Sequence, residues 1–256
     1  MTALVTGASG GLGQAFCDHL AAQGHDLVLV SRRVDKLEEI ARSARDRFGV
    51  QATVLAHDLS EEAERDALFD EVRTRGLTVD VLVNNAGFGS MGEFASLDVA
   101  RLNDEVSLNC AAVAHLTRLF LPGMLARDKG DVINVASTAA FQPIPTMAVY
   151  AATKSFVLSL SQALWQETRR TGVRVIALCP GPTQTDFFAV AGDDSAMKVR
   201  RTPQQVVHSC FKGLDRRLPS VTDGAFNALQ AQLARLMPAT LSAPVARLAI
   251  RPGRKK

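Results

Sequence analysis

The sequence predicts an α/β protein in which one doubly wound parallel sheet is covered by helices on both faces. Short apolar runs alternate with longer amphipathic stretches from the first residues onward. The run 27–30 is four apolar residues in succession, which is typical of a strand buried on both faces of a parallel sheet. Six such strand–helix cycles follow one another, as doubly wound sheets require. A chain of 256 residues suits one large domain, so we expect a single domain over 1–256.

The predicted elements follow in a regular order. Residues 34–48, for example, carry Leu37, Ile40, Ala41 and Ala44 on one side, which indicates an amphipathic helix. By the same reasoning, strands are expected at 3–6, 27–30, 52–56, 79–84, 131–136 and 174–178, and helices at 11–23, 34–48, 61–74, 99–126 and 150–171.

The pattern changes after Leu178. Residues 181–202 mix Gly, Pro, Asp and Phe without a period, and we interpret 182–202 as a loop that acts as a substrate lid. A helix capped by Thr202 is expected at 203–216, and a short strand at 218–221. Residues 225–256 are predicted to be a helical extension with breaks at Pro238 and Pro244 and a basic tail at 251–256.

Composition excludes several classes of protein. No uninterrupted apolar run approaches the 18 residues of a membrane span, and no basic stripe suggests nucleic acid. The N-terminus runs directly into a strand pattern without a secretion signal. Four scattered cysteines have neither metal-binding nor disulfide spacing, so we expect no metal site and a cytoplasmic location.

A glycine-rich turn joins the first strand to the first helix. Its glycines would let the backbone approach a pyrophosphate, and the helix N-terminus offers free N–H groups. The alternative is a plain strand-to-helix turn, which this context disfavours. The predicted cofactor residues here are Gly7, Ser9, Gly10, Gly11, Leu12 and Gly13.

Two arginines follow the second strand. An NAD site usually has an acidic residue here, whereas Arg32 and Arg33 suit a 2′-phosphate. The alternative, two solvated arginines at a helix start, places cations at the unfavourable end of a helix. We therefore predict NADP(H) in preference to NAD(H).

Two further strand ends supply cofactor candidates. Asp58, followed by Leu59, could accept a hydrogen bond from an adenine amino group or could equally cap the next helix. Asn85, Ala86 and Gly87 follow the fourth strand, where small residues would let the backbone pass close to the cofactor or simply make a turn.

Tyr150 and Lys154 stand four residues apart, on one face of a predicted helix. A phenol is a poor base at neutral pH, and a nearby ammonium group favours its ionised form. Ser137, just after the fifth strand, could hydrogen-bond a substrate oxygen. Tyr150 is the only tyrosine in the chain, which sharpens an otherwise common pattern.

Over roughly residues 1–190 the sequence resembles the short-chain dehydrogenase/reductase family, whose sheet is Rossmann-like. The matches are the turn 6–13, Asn-Asn-Ala-Gly at 84–87, Ser137, Tyr150 with Lys154, and Pro180-Gly181 with Thr183 and Thr185. The resemblance implies that Asn109 positions a proton-relaying water, Ser137 orients a carbonyl and Tyr150 donates the proton. It also implies that Tyr150, Lys154, Pro180, Gly181, Thr183 and Thr185 contact the cofactor.

The chain departs from its relatives in two places. Gly10 stands where many NADP-type members carry a second basic residue, which leaves Arg32 and Arg33 to select the cofactor. The C-terminus lacks the glycine-rich ending of bacterial 3-oxoacyl carrier-protein reductases. It resembles a branch that includes reductases of long acyl chains and hydroxysteroid-like substrates.

Largely apolar loops are expected to hold the substrate. The candidates beside Ser137 and Tyr150 are Phe88, Phe141, Ile144, Phe187 and Phe188, which suggest an apolar carbonyl compound or, equally, loop packing against the core. Lys198, Arg200 and Arg201 could meet a carrier or coenzyme phosphate, but we interpret them as a solvated face.

These features together predict an NADP(H)-dependent oxidoreductase that reduces a ketone or aldehyde, or catalyses the reverse. The alternatives are a 3-oxoacyl thioester reductase and a dinucleotide sensor without activity. The resemblance further implies a homodimer or homotetramer. For the C-terminal helices, packing against the domain or a partner subunit is favoured over weak contact with a membrane surface.

Overall fold

A computed structural model describes residues 1–192 and 200–249. Within them the sheet has seven parallel strands in the order β3-β2-β1-β4-β5-β6-β7. The strands are β1 (Thr2–Thr6), β2 (Asp26–Val30), β3 (Ala52–Leu55), β4 (Val79–Asn84), β5 (Gly130–Val135), β6 (Val173–Cys179) and β7 (Ser220–Thr222). The predicted doubly wound fold is confirmed.

Ten α-helices lie in the described residues. They are α1 (Gly11–Ala22), α2 (Val34–Phe48), α3 (Glu62–Thr74), α4 (Val99–Val106), α5 (Ala112–Ala126), α6 (Ala148–Thr168), α7 (Phe187–Ala191), α8 (Pro203–Asp215), α9 (Ala225–Leu236) and α10 (Ala239–Ala249). Short 3₁₀ turns occupy Phe94–Ser96 and Thr138–Phe141, and a π turn occupies Ser107–Ala111.

Each face of the sheet carries its own apolar core. On one face α1, α2 and α8 pack on the strands, and on the other α3, α5 and α6 do so. Continuous apolar strands such as β2 are buried on both sides because helices cover both faces. Phe16 and Leu37 belong to the first core, and Leu68, Leu116 and Met124 to the second.

Strand order reverses between β1 and β4. The helices after these two strands run to opposite sides, which opens a crevice at the carboxyl ends of the strands. The loops that follow β1, β4, β5 and β6 all reach this edge of the sheet. The predicted site residues therefore converge there.

Three predicted elements differ from the structure. The expected single helix 99–126 is interrupted by the π turn Ser107–Ala111. A π turn adds one residue to a helical turn, which leaves the apolar pattern of the sequence almost unchanged. Helix α7 lies in the segment that we interpreted as a loop, since five residues are too few to show a period. The last strand is Ser220–Thr222 rather than 218–221.

The C-terminal breaks are correct at one proline and wrong at the other. The chain leaves α9 before Pro238 as expected, but Pro244 lies inside α10. Pro244 and Thr240, four residues earlier, are both exposed, so water can satisfy the carbonyl that loses its partner. Lys198 and the basic tail 251–256 lie outside the described residues.

One helical stretch in the described residues, Val99–Ala126, is long and apolar enough to cross a membrane by composition alone. The sequence analysis did not expect such a stretch. Its apolar side chains Leu116, Phe120 and Met124 pack against the sheet.

Candidate active site

The glycine turn brings an uncapped helix end to the crevice. Gly7 has a φ of +63°, a left-handed conformation that favours glycine. Gly10 occupies the N-cap position of α1 but has no side chain that could accept a hydrogen bond. The first N–H groups of the helix therefore remain available to the crevice. A Cβ on Gly13 would collide with the Gly7 carbonyl, so the helix approaches the turn closely. The turn therefore fits a pyrophosphate.

The two arginines lie beside this turn. The Arg33 guanidinium donates to the Ser9 carbonyl over 2.7 Å and to the Ser9 hydroxyl over 3.2 Å. Arg32 is largely exposed and lies 3.2 Å from an Asp58 carboxylate oxygen. Two cations at the rim of the turn, one of them largely exposed, are suited to a phosphate group.

Asp58 does not cap the helix that follows it. The N-cap of α3 is Glu61, and Asp58 accepts hydrogen bonds from the backbone and hydroxyl of Ser60. Although burial opposes it, these bonds and Arg32 hold the pKa of Asp58 below its usual range. Of the two interpretations of Asp58, the structure excludes the helix cap.

The loop after β4 is fastened to the end of β1. The Thr6 hydroxyl accepts hydrogen bonds from the N–H groups of Asn85 and Ala86, each over 3.0 Å. The Asn85 amide donates to the carbonyl of Thr6 over 2.9 Å. Gly87 follows, and a Cβ there would lie 2.7 Å from the Asn109 side chain. Small residues are thus required where this loop passes the crevice.

Tyr150, Ser137 and Lys154 meet at the centre of the crevice. The Tyr150 hydroxyl, in the first turn of α6, lies beside Ser137, which follows β5. Lys154 lies one turn further along α6, with its Nζ 5.7 Å from the centre of the Tyr150 ring. That ammonium group donates to the Val135 carbonyl over 2.8 Å.

Burial shifts the two titrating groups in opposite directions. It raises the pKa of Tyr150 to about 12, an effect that the Ser137 hydrogen bond opposes and Glu105 reinforces. It lowers the pKa of Lys154 to about 8, against the opposing influence of Cys110, Cys179 and Glu105. At neutral pH the phenol therefore keeps its proton and the ammonium group keeps its charge.

Asn109 lies behind the crevice, in the π turn. It is fully buried; its Oδ1 accepts from the Phe88 N–H over 3.1 Å, and its Nδ2 donates to the Phe88 carbonyl over 2.8 Å. Nδ2 also donates to the Thr153 hydroxyl over 3.1 Å. The side chain thus fastens the loop after β4 to helix α6.

A fully buried carboxyl group, Glu105, was missed by the sequence analysis. It lies on α4 one helical turn before Asn109, and Ser90 and Arg101 are the polar groups beside it. Burial raises the pKa of Glu105, and its charge in turn acts on both Tyr150 and Lys154. Its spacing of four residues from Asn109 was the available signal.

A single cavity of about 790 Å³ joins these groups. Except for Phe141, every residue predicted to bind cofactor or substrate lines it, and of the four predicted catalytic residues only Asn109 does not. These residues are Gly7, Ser9, Gly10, Gly11, Leu12, Gly13, Arg32, Arg33, Asp58, Leu59, Asn85, Ala86, Gly87, Phe88, Ser137, Ile144, Tyr150, Lys154, Pro180, Gly181, Thr183, Thr185, Phe187 and Phe188.

Phe141 corrects the predicted substrate set. It ends the tight 3₁₀ turn Thr138–Phe141, which directs its ring away from the cavity. The ring packs instead against a core cluster that contains Val113 and Val157, and it borders a separate shallow depression. Phe141 therefore stabilises the loop and does not reach a ligand in the cavity.

The end of the cavity beyond Tyr150 is apolar. Phe187 packs on the Tyr150 ring with the ring centres 5.0 Å apart. Leu233, Met237 and Val245 of the C-terminal region also line this end, together with Met147. The sequence analysis missed these residues because an amphipathic pattern does not reveal what a helix covers.

Comparisons with known proteins agree with this arrangement. The family model described as short chain dehydrogenase matches residues 1–196. The very-long-chain 3-oxoacyl-CoA reductase of Mus musculus is 32% identical over 238 residues, which cover 85% of this chain and 75% of that protein. The human protein of the same name is 35% identical over 184 residues, covering 70% and 58%.

Two solved structures are similar along almost the whole chain. A short-chain dehydrogenase from Sphingobium yanoikuyae in complex with NADPH is 31% identical, with a TM-score of 0.83 and coverage of 93% and 96%. A bulky-bulky ketone specific alcohol dehydrogenase from Comamonas testosteroni is 28% identical, with a TM-score of 0.78 and coverage of 91% of each chain.

Proposed function

Because the chain belongs to the short-chain dehydrogenase family and is an oxidoreductase, we propose that it reduces an apolar ketone or aldehyde with NADPH, or catalyses the reverse. The observation that carries the proposal is the position of Ser137 and Tyr150, which lie side by side in the wall of the cavity. They lie where the part of the cavity beside the glycine turn meets the apolar part.

The dinucleotide half of the cavity supports NADP(H). The uncapped N-terminus of α1 would hold the pyrophosphate, and Arg32 and Arg33 the 2′-phosphate. Asp58 and Leu59 would border the adenine, and Asn85, Ala86 and Gly87 the ribose. Pro180, Gly181, Thr183 and Thr185 would line the nicotinamide end. The bound dinucleotide would supply the hydride.

The chain's own groups would manage the proton and the substrate oxygen. Ser137 would donate a hydrogen bond to the carbonyl oxygen, which orients it and draws charge onto it. Tyr150, which keeps its proton at neutral pH, would deliver that proton to the oxygen as the alcohol forms. The Lys154 ammonium group would stabilise the phenolate left behind.

Asn109 would act indirectly, without contacting the substrate. In the family resemblance this residue positions a proton-relaying water, and here its side-chain amide is already bonded to Phe88 and Thr153. We therefore propose that the Asn109 side chain sets the geometry of the relay and that backbone groups in the π turn would hold the water.

Long-chain 3-oxoacyl thioesters are the second candidate substrates. The mammalian relatives are named as very-long-chain 3-oxoacyl-CoA reductases, and the apolar end of the cavity would suit an acyl chain. A thioester requires the same reduction of a ketone by the same groups. Only the substrate distinguishes the two candidates.

The test is oxidation of NADPH and NADH by the purified protein with a panel of ketones, aldehydes and 3-oxoacyl thioesters. Tyr150→Phe should reduce kcat by at least about 100-fold while NADPH still binds, because only the proton donor is lost. NADPH binding without turnover of any compound would instead favour the dinucleotide sensor. Turnover confined to thioesters would select the second candidate.

We also propose a cytoplasmic homodimer or homotetramer, assembled through α4–α5 and α6. Val106, Leu125 and Phe156 are exposed on these helices, which is consistent with a partner there. Size measurement of the purified protein in solution tests the assembly.

A further inference from the structure

The two C-terminal helices carry their large apolar residues on the outside. Small residues, Ala231, Ala234 and Ala246, face the domain and are buried. Six large apolar residues of α9 and α10 are between 53% and 81% exposed, and we call them the C-terminal face: Phe226, Leu229, Leu233, Leu236, Leu241 and Val245. A helix pair whose only role was to pack on the domain would have the opposite arrangement.

The charge of this region has one sign. Residues 224–256 contain six of the 29 lysines and arginines and none of the 26 aspartates and glutamates. The preceding residues, with 23 basic against 26 acidic side chains, therefore carry a net charge of −3. Arg235, near the end of α9, and Arg247, on α10, are both exposed beside the C-terminal face, and Arg247 forms an ion pair with Glu93 over 3.4 Å.

The ligand cavity opens at the same place. Leu233 and Val245 line the cavity and also belong to the exposed C-terminal face. Met237, between the two helices, lines the cavity and is 36% exposed. Apolar side chains of the C-terminal face are therefore continuous with the lining of the cavity, beside the polar Asn227 and Gln230 of α9.

We propose that the C-terminal face docks on an anionic phospholipid surface. Apolar side chains flanked by cations, on helices that themselves contain no acidic residue, are the pattern of helices that lie in a membrane interface. Helices of 12 and 11 residues are too short to cross a bilayer, so the attachment is peripheral. A second copy of this chain fits less well, because it would present a segment of the same positive charge with no acidic residue to pair with it.

Docking would direct the cavity mouth toward the lipid. An apolar carbonyl substrate dissolved in the bilayer would then enter between α9 and α10. This entry step rests on the proposed function, whereas docking does not. Docking itself needs no turnover, so it can be tested on the Tyr150→Phe protein. A failure of the proposed function and a failure of docking are therefore distinguishable.

The experiment is flotation of the full-length protein with phosphatidylcholine vesicles, with and without phosphatidylglycerol. The wild type should float with the anionic vesicles and release at high salt. Leu229→Gln with Leu236→Gln, neither of which lines the cavity, should weaken binding roughly tenfold or more. Arg235→Gln should weaken it roughly fivefold, the effect expected for one basic residue near the surface.

The matched control is Leu218→Gln, an exposed apolar residue outside the C-terminal face and outside the helices proposed for assembly. This variant should float as the wild type does, and unchanged thermal midpoints for all variants would show that folding is intact. Absence of flotation with anionic vesicles overturns the proposal. An oligomer that dissociates in the Leu229/Leu236 variant, without flotation, also overturns it and assigns the face to a second copy.

Discussion

At the scale of single residues, two groups four positions apart on α6 are buried in the same place yet differ in charge. Burial keeps the Tyr150 phenol neutral, and it brings the pKa of Lys154 to about 8. A proton donor beside an ammonium group with a lowered pKa is an arrangement suited to acid–base chemistry near neutral pH. Glu105 acts on both groups from α4.

The pH dependence of the reduction follows from these directions. Tyr150 stays protonated throughout the accessible range, whereas Lys154 loses its charge as the pH rises through about 8. We expect kcat/KM for NADPH-dependent reduction to be constant at lower pH and to fall through that region. Steady-state rates across a pH series would measure it.

Glu105→Gln provides the internal check on this assignment. The Glu105 carboxylate raises the pKa of Lys154, so its removal should move the falling limb to lower pH. Asp104→Asn, an exposed neighbour on the same helix, should leave the limb in place. If the falling part of the pH profile is unchanged in Glu105→Gln, or if kcat/KM is constant through pH 8, then Lys154 does not control the rate.

Asn109 should be required for stability. Asn109→Ala leaves the half-buried N–H and carbonyl of Phe88 and the buried Thr153 hydroxyl without their present partner. We expect the free energy of unfolding to fall by about 2–4 kcal/mol, measured by urea denaturation. Asn103→Ala, at an exposed position of the same helix, should change it by less than about 0.5 kcal/mol. Equal effects of the two changes would show that Asn109 does not stabilise the protein by joining the loop after β4 to α6.

At the scale of elements, alternating patterns were enough to predict the sheet and the long helices. Strands such as residues 27–30 and helices such as 34–48 are dictated by local periodicity, and the structure has them within a few residues. The glycine turn and the polar residues at strand ends were predictable for a related reason. Parallel strands bring their carboxyl ends to one edge, so positions remote in sequence meet there.

Features that depend on tertiary contacts could not be predicted. The π turn at Ser107–Ala111 changes the pitch of a helix without altering its composition. The direction of the Phe141 ring depends on a 3₁₀ turn, and the burial of Glu105 depends on what packs against α4. The cavity lining from α9 and α10 depends on where those helices dock, which no local pattern encodes.

Helix α7 should determine which substrates fit. Phe187 packs on Tyr150, and Phe188 is buried beside Arg200, whose guanidinium lies 4.8 Å from the ring centre. Changing both phenylalanines to alanine should lower kcat/KM for long apolar ketones by roughly 10- to 100-fold, with a smaller effect on short ones. Rates across a ketone series measure the ratio.

The control for this change is Phe94→Ala, which removes an exposed ring outside the cavity. It should leave the ratio of long to short ketones unchanged. If the α7 variant also leaves that ratio unchanged, the two phenylalanines pack the lid against the core and do not contact the substrate.

At the scale of the whole molecule, cofactor binding and folding are coupled. A ligand that binds only the folded chain stabilises it in proportion to the logarithm of its concentration. The residues proposed to hold the dinucleotide come from the ends of β1 to β6, so binding would fasten most of the sheet's carboxyl edge. Thermal unfolding therefore reports on binding without any knowledge of the substrate.

NADPH at a hundredfold excess over its Kd should stabilise the protein by about 2.7 kcal/mol, which raises the thermal midpoint by about 5–10 °C. NADH at the same concentration should raise it less, because it lacks the phosphate that Arg32 and Arg33 would hold. Arg32→Ala, which removes an exposed guanidinium from the rim, should reduce the difference between the thermal midpoints measured with NADPH and with NADH. Arg42→Ala, at an exposed position on α2, should leave that difference in thermal midpoint unchanged. Equal midpoints with NADPH and NADH in the wild type would remove the basis for a 2′-phosphate site, since the cations at the turn would then contribute only to folding.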